Sequence, residues 1–154
     1  MLRWAGPRNP DAIWVARHSA DAFAYGHGEV RDFLANPFET NAFDWVITNP
    51  PFRLAEEFIP EGLRVARQGV AILARTVFLE SVGRYNAIFR ARPPTKVAQF
   101  TERVPILKGR LDAKASTATG YAWLVWEKGV IGPSRLMWVP PCRKQLQRGE
   151  DYPA

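Results

Sequence analysis

Residues 43–52 read Phe43-Asp44-Trp45-Val46-Ile47-Thr48-Asn49-Pro50-Pro51-Phe52, and the fold turns on them. Phe43 to Thr48 is a short apolar run with β-branched and aromatic side chains, the composition of a buried strand. It stops at a polar residue and two prolines. Proline fixes φ and has no N–H to donate, so this segment holds its C=O groups outward in a stiff loop that joins no ladder. The Asn49 amide oxygen and a proline-flanked carbonyl then make a pair of acceptors. A planar exocyclic amine would donate its two hydrogens to that pair and turn its nitrogen lone pair toward an electrophile, with Phe52 stacked on the attached ring. A strand-ending turn that happens to contain prolines explains the same letters without function. The apolar strand before the turn and the aromatic after it favour the amine-holding reading, because open α/β sheets bind ligands beyond the carboxyl ends of their strands.

Downstream, the chain alternates. Arg53 to Arg67 predicts helix with Leu54, Phe58 and Val65 on one face, kinked or split in two by Pro60 and Gly62. Gly69 to Ala74 predicts a buried strand ended by Arg75-Thr76. Glu80 to Ala91 predicts an amphipathic helix with Val82, Tyr85 and Phe89 inward, stopped by Pro93-Pro94. Strand and helix in alternation imply a mainly parallel sheet. After Pro94 the pattern changes: Lys96 to Phe100 and Gly120 to Trp126 read as two strands with a polar stretch between them, which predicts a terminal antiparallel hairpin. That intervening loop carries Lys108, Arg110, Lys114, Ser116 and Thr117, cations and hydroxyls of the kind that grip phosphates, although a solvated loop has the same composition. Residues 133–154 form a basic, proline-rich tail, expected to lie over the domain through Leu136, Met137 and Trp138, so that the domain proper spans residues 1–132.

Upstream, Ala12 to Ala16 reads as a strand and Asp21 follows it, where an acidic residue accepts hydrogen bonds from ribose hydroxyls in dinucleotide-type folds. A turn or helix-cap role explains a single Asp equally well. Tyr25-Gly26-His27-Gly28 follows the acidic position instead of preceding it by about twenty residues, so these glycines read as a loop and not as a cofactor fingerprint.

Composition sets outer limits. The 154 residues carry 47% hydrophobic side chains and a formal charge of +6, which fits one α/β domain with a polyanionic partner such as nucleic acid. Cys142 is the single cysteine, and His18 and His27 are the two histidines. That excludes an intramolecular disulfide and a cysteine-based zinc cluster, and no metal is expected. No apolar run reaches membrane-spanning or signal-peptide length, so a cytoplasmic location is expected.

The stretch Phe43 to Phe52 resembles the catalytic motif of S-adenosylmethionine-dependent amino-methyltransferases, above all the adenine-N6 DNA methyltransferases of phage and bacteria. The resemblance runs from about Asp21 to the C-terminus, through Gly69 to Arg75, Glu102-Arg103-Val104-Pro105 and Tyr121 to Trp126. It implies a Rossmann-like sheet with a C-terminal antiparallel hairpin and methyl transfer to adenine N6 in DNA. Asn49, Pro50, Pro51 and Phe52 would hold the amine and its base. Asp21 would hold the ribose of S-adenosylmethionine, and Asp32 its adenine with Phe33 packed nearby; a surface Asp beside core residues accounts for Asp32-Phe33-Leu34 too. Related enzymes methylate guanine N2 in ribosomal RNA or a glutamine amide of a protein, and these stay as alternatives. The family's first strand and glycine-rich cofactor turn would fall at or before Met1. An N-terminally shortened chain is therefore expected, and a catalytically silent nucleic-acid-binding remnant is a further alternative.

Overall fold

The computed structural model describes residues 17–24, 26, 28–35, 37–106 and 117–146. The chain divides into two compact units, Met1–Pro37 and Phe38–Ala154, each taken by itself. The strand expected at 12–16, and Lys108, Arg110, Lys114 and Ser116, lie outside the described residues.

In the first unit, two short strands, β1 (Ala20–Asp21) and β2 (Glu29–Val30), pair in parallel with Ala20 opposite Glu29. Gly26 and Gly28 lie in the connection at φ +82° and +80°, and a Cβ on Gly28 would stand 2.8 Å from the Ser19 carbonyl oxygen. The glycines shape a loop, as their position relative to Asp21 implied.

The second unit is a mixed α/β structure. Among the described residues its strands are β3 (Phe43–Thr48), β4 (Ala66–Arg75), β5 (Lys96–Phe100), β6 (Tyr121–Glu127) and β7 (Arg135–Val139), in the order β3-β4-β6-β5-β7. The β3–β4 and β5–β7 pairs are parallel, while β6 runs antiparallel to both β4 and β5. Four strands therefore share one direction, and the β5–β6 hairpin is present. Helix α1 (Ala55–Val65) connects β3 to β4, and a crossover of this kind makes the two strands parallel.

Helix α1 is continuous, not split. Pro60 sits inside it, and Ile59, Leu63 and Val65 bury against the sheet. Packing overrides the local cost of the proline. Gly62 serves that packing too, since a Cβ there would meet the Val70 methyls at 3.1 and 3.2 Å. The buried stripe is Ala55, Ile59, Leu63 and Val65; of the expected face, Val65 is buried and Phe58, half-buried, packs against the core, whereas Leu54 is exposed.

One face of the sheet makes the core. Val70, Ile72 and Ala74 of β4 stand beside Trp126, Leu124 and Ala122 of β6, all nearly inaccessible to water. Half-buried Val46, Val97, Ile88 and Phe89 pack on this cluster. The alternate residues are wetter: Ala71, Leu73, Trp123 and Val125 are half-buried and Ile47 is exposed. Strand β3 is accordingly an edge strand among the described residues, half-exposed where its apolar run implied full burial.

Two further expectations give way. Glu80 to Ala91 does not form one amphipathic helix: a 3₁₀ turn (Thr76–Leu79) is followed by one α-turn, α2 (Val82–Arg84), and a π-helical turn (Tyr85–Phe89). The wider π-turn shifts the register of the side chains after it; Val82 and Tyr85 are exposed and Phe89 packs inward. Leu136, Met137 and Trp138 do not cover the domain but build β7, where all three are exposed. The short helix α3 (Arg143–Leu146) follows. No helix among the described residues is long and apolar enough to cross a membrane.

Candidate functional site

The carboxyl ends of β3 and β4 lie side by side, with Thr48 opposite Ile72. Strand β4 then continues through Leu73 and Ala74 to Arg75, while the chain after Thr48 turns off at Asn49. The result is a ledge: the Asn49–Phe52 loop lies next to the overhanging end of β4.

Within that loop the four residues have different environments. Asn49 and Pro51 are exposed, Phe52 is half-buried and Pro50 is buried. The Pro51 carbonyl accepts from the Leu54 N–H at 2.8 Å, the turn that launches α1. Among the described residues, neither the Asn49 side-chain amide nor the Pro50 carbonyl has a hydrogen-bond partner. The turn thus uses one proline carbonyl for itself and leaves the two acceptors that an amine would need. Pro50 has no N–H that could satisfy its neighbours and no freedom to rotate φ, so its position is rigid.

Phe52 has two ring contacts. Its centroid lies 6.2 Å from that of Tyr121, tilted by 35°, and the Arg75 guanidinium carbon lies over its face at 4.3 Å. Tyr121 is buried and pairs with Arg75 across the β4–β6 ladder, while Arg75 is exposed. An exposed cation over an aromatic face contributes about 0.5–1 kcal/mol. Behind this group, the Thr76 N–H donates to the Gly120 carbonyl at 3.0 Å and an Arg103 guanidinium N–H donates to the Ala118 carbonyl. A Cβ on Gly120 would come within 3.4 Å of that Arg103 nitrogen, which places Arg103 against the start of β6.

Some arginines of the second unit hold carboxylates and others do not. Arg64, Arg67 and Arg84 pair with Glu61, Asp44 and Glu56. Among the described residues, no carboxylate pairs with Arg53, Arg75 or Arg103, the three next to or near Phe52. The residues alone did not single out Arg75 or Tyr121 as site residues. Arg75 was legible in principle, since the last residue of a strand parallel to the Asn49 strand must emerge at the same edge.

Of the expected phosphate loop, Thr117 is described, and its hydroxyl accepts from the Thr119 N–H at 3.0 Å. In the first unit, Asp21 Oδ1 accepts from the Phe23 N–H at 2.9 Å, and Asp32 Oδ1 accepts from Leu34 and Ala35 at 2.9 and 3.1 Å. Each aspartate therefore closes a local turn with one oxygen, and among the described residues its other oxygen accepts no hydrogen bond. Phe33 is half-buried beside Asp32. A shallow groove in the same unit is lined by Glu29, Val30, Arg31, Ala35 and Pro37. Glu29 holds Arg31 at 2.8 Å and His18 at 2.9 Å, and the bond from Arg31 pulls its carboxyl below the ordinary glutamate value.

No protein-family model matches the chain, and no curated protein matches it. Among solved structures, the chain is similar in arrangement to a predicted O-methyltransferase of Agrobacterium tumefaciens, at 21% identity and a TM-score of 0.40. The match covers 67% of this chain and 43% of that one, so the chain spans under half of that structure's length. At that level of likeness the chemistry rests on this chain's own residues.

Proposed function

We propose that the ledge at Asn49–Phe52 accepts an exocyclic amine for methyl transfer, with adenine N6 in DNA as the substrate and S-adenosylmethionine as the donor. The observation that carries this reading is the pair of unpartnered acceptors, the Asn49 amide oxygen and the Pro50 carbonyl, adjacent in the chain and next to an aromatic ring.

The chemistry assigns each residue a task. Asn49 Oδ1 and the Pro50 carbonyl accept the two amine hydrogens, which turns the nitrogen lone pair out of conjugation with the ring and makes it a better nucleophile. Pro51 stiffens the turn, and Phe52 stacks on the base once it is flipped from the helix. S-adenosylmethionine supplies an electrophilic methyl group on a positively charged sulfur. The second carboxylate oxygens of Asp21 and Asp32, both in the first unit, are suitable acceptors for its ribose hydroxyls and adenine amine, with Phe33 next to Asp32 in the chain. Rate enhancement in such a site comes mainly from alignment of the two reacting atoms.

The test uses labelled methyl donor offered with DNA, RNA or a glutamine-bearing protein. Incorporation into adenine of DNA, lost in Asn49→Ala and reduced in Phe52→Ala, supports the proposal. Label in guanine of RNA or in protein glutamine would replace the substrate while keeping the reaction. No incorporation into any of them, together with no cofactor binding by calorimetry, would overturn it. A second reading, nucleic-acid binding without catalysis, is favoured by Arg53, Arg75 and Arg103, with which no carboxylate pairs among the described residues. It predicts salt-sensitive DNA binding that survives Asn49→Ala and does not depend on the donor.

A further inference from the structure

Phe52 can serve as a stacking platform only where its face is free, and that face is taken by Arg75 at 4.3 Å. The ring's other neighbour, Tyr121, is buried and held in the β4–β6 ladder. Arg75 is the opposite case: an exposed, long side chain at the end of its strand, with no carboxylate partner among the described residues. Of the two contacts on Phe52, the guanidinium is the one that can leave. A guanidinium is planar and is at home both on an aromatic face and against a phosphate. Once displaced, it would stand at a ledge that also carries Arg53, with Arg103 behind it at the start of β6, a setting that suits an anion.

We propose that Arg75 is a displaceable cover on Phe52 that exchanges the ring for the phosphate of an incoming nucleotide, so that the site selects phosphate-linked bases over free bases and nucleosides. The inference rests on the reading of Phe52 as a base platform and adds the device that makes it discriminate. A nucleoside must uncover the ring and offers the cation nothing in return. A nucleotide uncovers the same ring and gives the guanidinium a bidentate acceptor.

The experiment is calorimetric titration of the full chain with adenosine, adenosine monophosphate, guanosine and guanosine monophosphate, scoring the binding that Phe52→Ala removes. In Arg75→Ala, adenosine should bind about two- to fivefold tighter, the worth of an exposed cation–π contact. The preference for the monophosphate over adenosine should fall by about tenfold or more, the worth of a charge-assisted hydrogen bond. Arg75→Lys keeps the charge without the planar fork, so it should show the adenosine gain while retaining most of the phosphate preference. A purely structural role predicts that Arg75→Ala weakens all four ligands in equal proportion; that result, or no change in any, overturns the proposal. If the crossover appears with the guanine ligands alone, the cover stands and adenine falls as the base. If adenosine binds through Phe52 without the crossover, adenine stands and the cover falls. Absence of Phe52-dependent binding to all four overturns both.

Discussion

Trp45 lies across Gly69: a Cβ on Gly69 would stand 2.7 Å from Trp45 Cζ3 and would overlap the carbonyl oxygen of Trp126. The indole is pinned there by its Nε1–H, which donates to Gln68 Oε1 at 3.0 Å. The edge strand that carries Asn49 is thereby locked in register against β4. Gly69→Ala should push both strands apart and lower stability by about 1–3 kcal/mol, the usual cost of overpacking. Urea unfolding followed by tryptophan emission measures it, and an unchanged midpoint would show that the indole simply swings aside.

The core should reveal itself by contrast between neighbouring elements. Ile72 is fully buried and Val82 is 80% exposed. Ile72→Ala should cost about 2–5 kcal/mol, as buried truncations do. Val82→Ala should stay within about 0.5 kcal/mol, because this side chain already faces water.

Arg84 makes three contacts, one to helix α1 and two to the 3₁₀ turn after β4. It bonds Glu56 at 2.8 Å, donates to the Phe78 carbonyl at 3.2 Å and lies 4.6 Å over the Phe78 ring. The ion pair is well solvated, so a double-mutant cycle between Arg84→Ala and Glu56→Ala should give a coupling below about 1 kcal/mol. Arg84→Ala alone should cost more than Glu56→Ala alone, since it also uncovers Phe78. Equal single-mutant effects would mean that the ring and carbonyl contacts contribute nothing.

Acid should loosen the sheet's far side first. Lys96 and then Thr95 hold the Glu127 carboxyl below its ordinary value. The backbone N–H groups of Cys142 and Arg143 do the same to Glu102 at the start of α3. A carboxyl whose folded pKa is lowered stabilises the fold above its unfolded value, and that stability is lost as pH falls through the folded one. The melting temperature should therefore hold steady near neutrality and decline below about pH 4. Glu127→Gln should start lower at neutral pH and show a shallower acid decline, which differential scanning calorimetry across pH would record.

Strand identities were largely legible because β-branched and aromatic runs ending at Asn-Pro or Arg-Thr leave few other readings. Val70, Ile72, Leu124 and Trp126 announced β4 and β6 in this way, and the Pro94 break announced the change to antiparallel pairing. Burial was less legible: Ile47 looks like a core residue, yet its strand has a neighbour on one side only among the described residues. The turn at Tyr85–Phe89 was hidden because a helical period cannot foretell an added residue per turn, and Val82 and Tyr85, assigned inward by that period, are exposed. Pro60 misled in the opposite sense, as tertiary packing outweighed its local penalty. At the ledge, the acceptors came from the letters, whereas the Arg75 contact came from register: β4 runs three residues past Ile72, the partner of Thr48, and so brings Arg75 to Phe52.

The lone reversed strand has a consequence for the order of assembly. β3, α1 and β4 are contiguous, so that half can gather as soon as residue 75 exists. β5 touches β7 and β6, but nothing in the sheet joins it to β4 except β6 itself. Residues 121–127 are thus a keystone between the two halves, and β7, which follows them in the chain, adds to the outer side of β5 after them. Until residues 121–127 arrive, the edge of β4 that they pair lacks its backbone partners and the core lacks Leu124 and Trp126; the same strand seats Tyr121 against Phe52, so a chain interrupted before it would have neither a finished sheet nor a finished ledge.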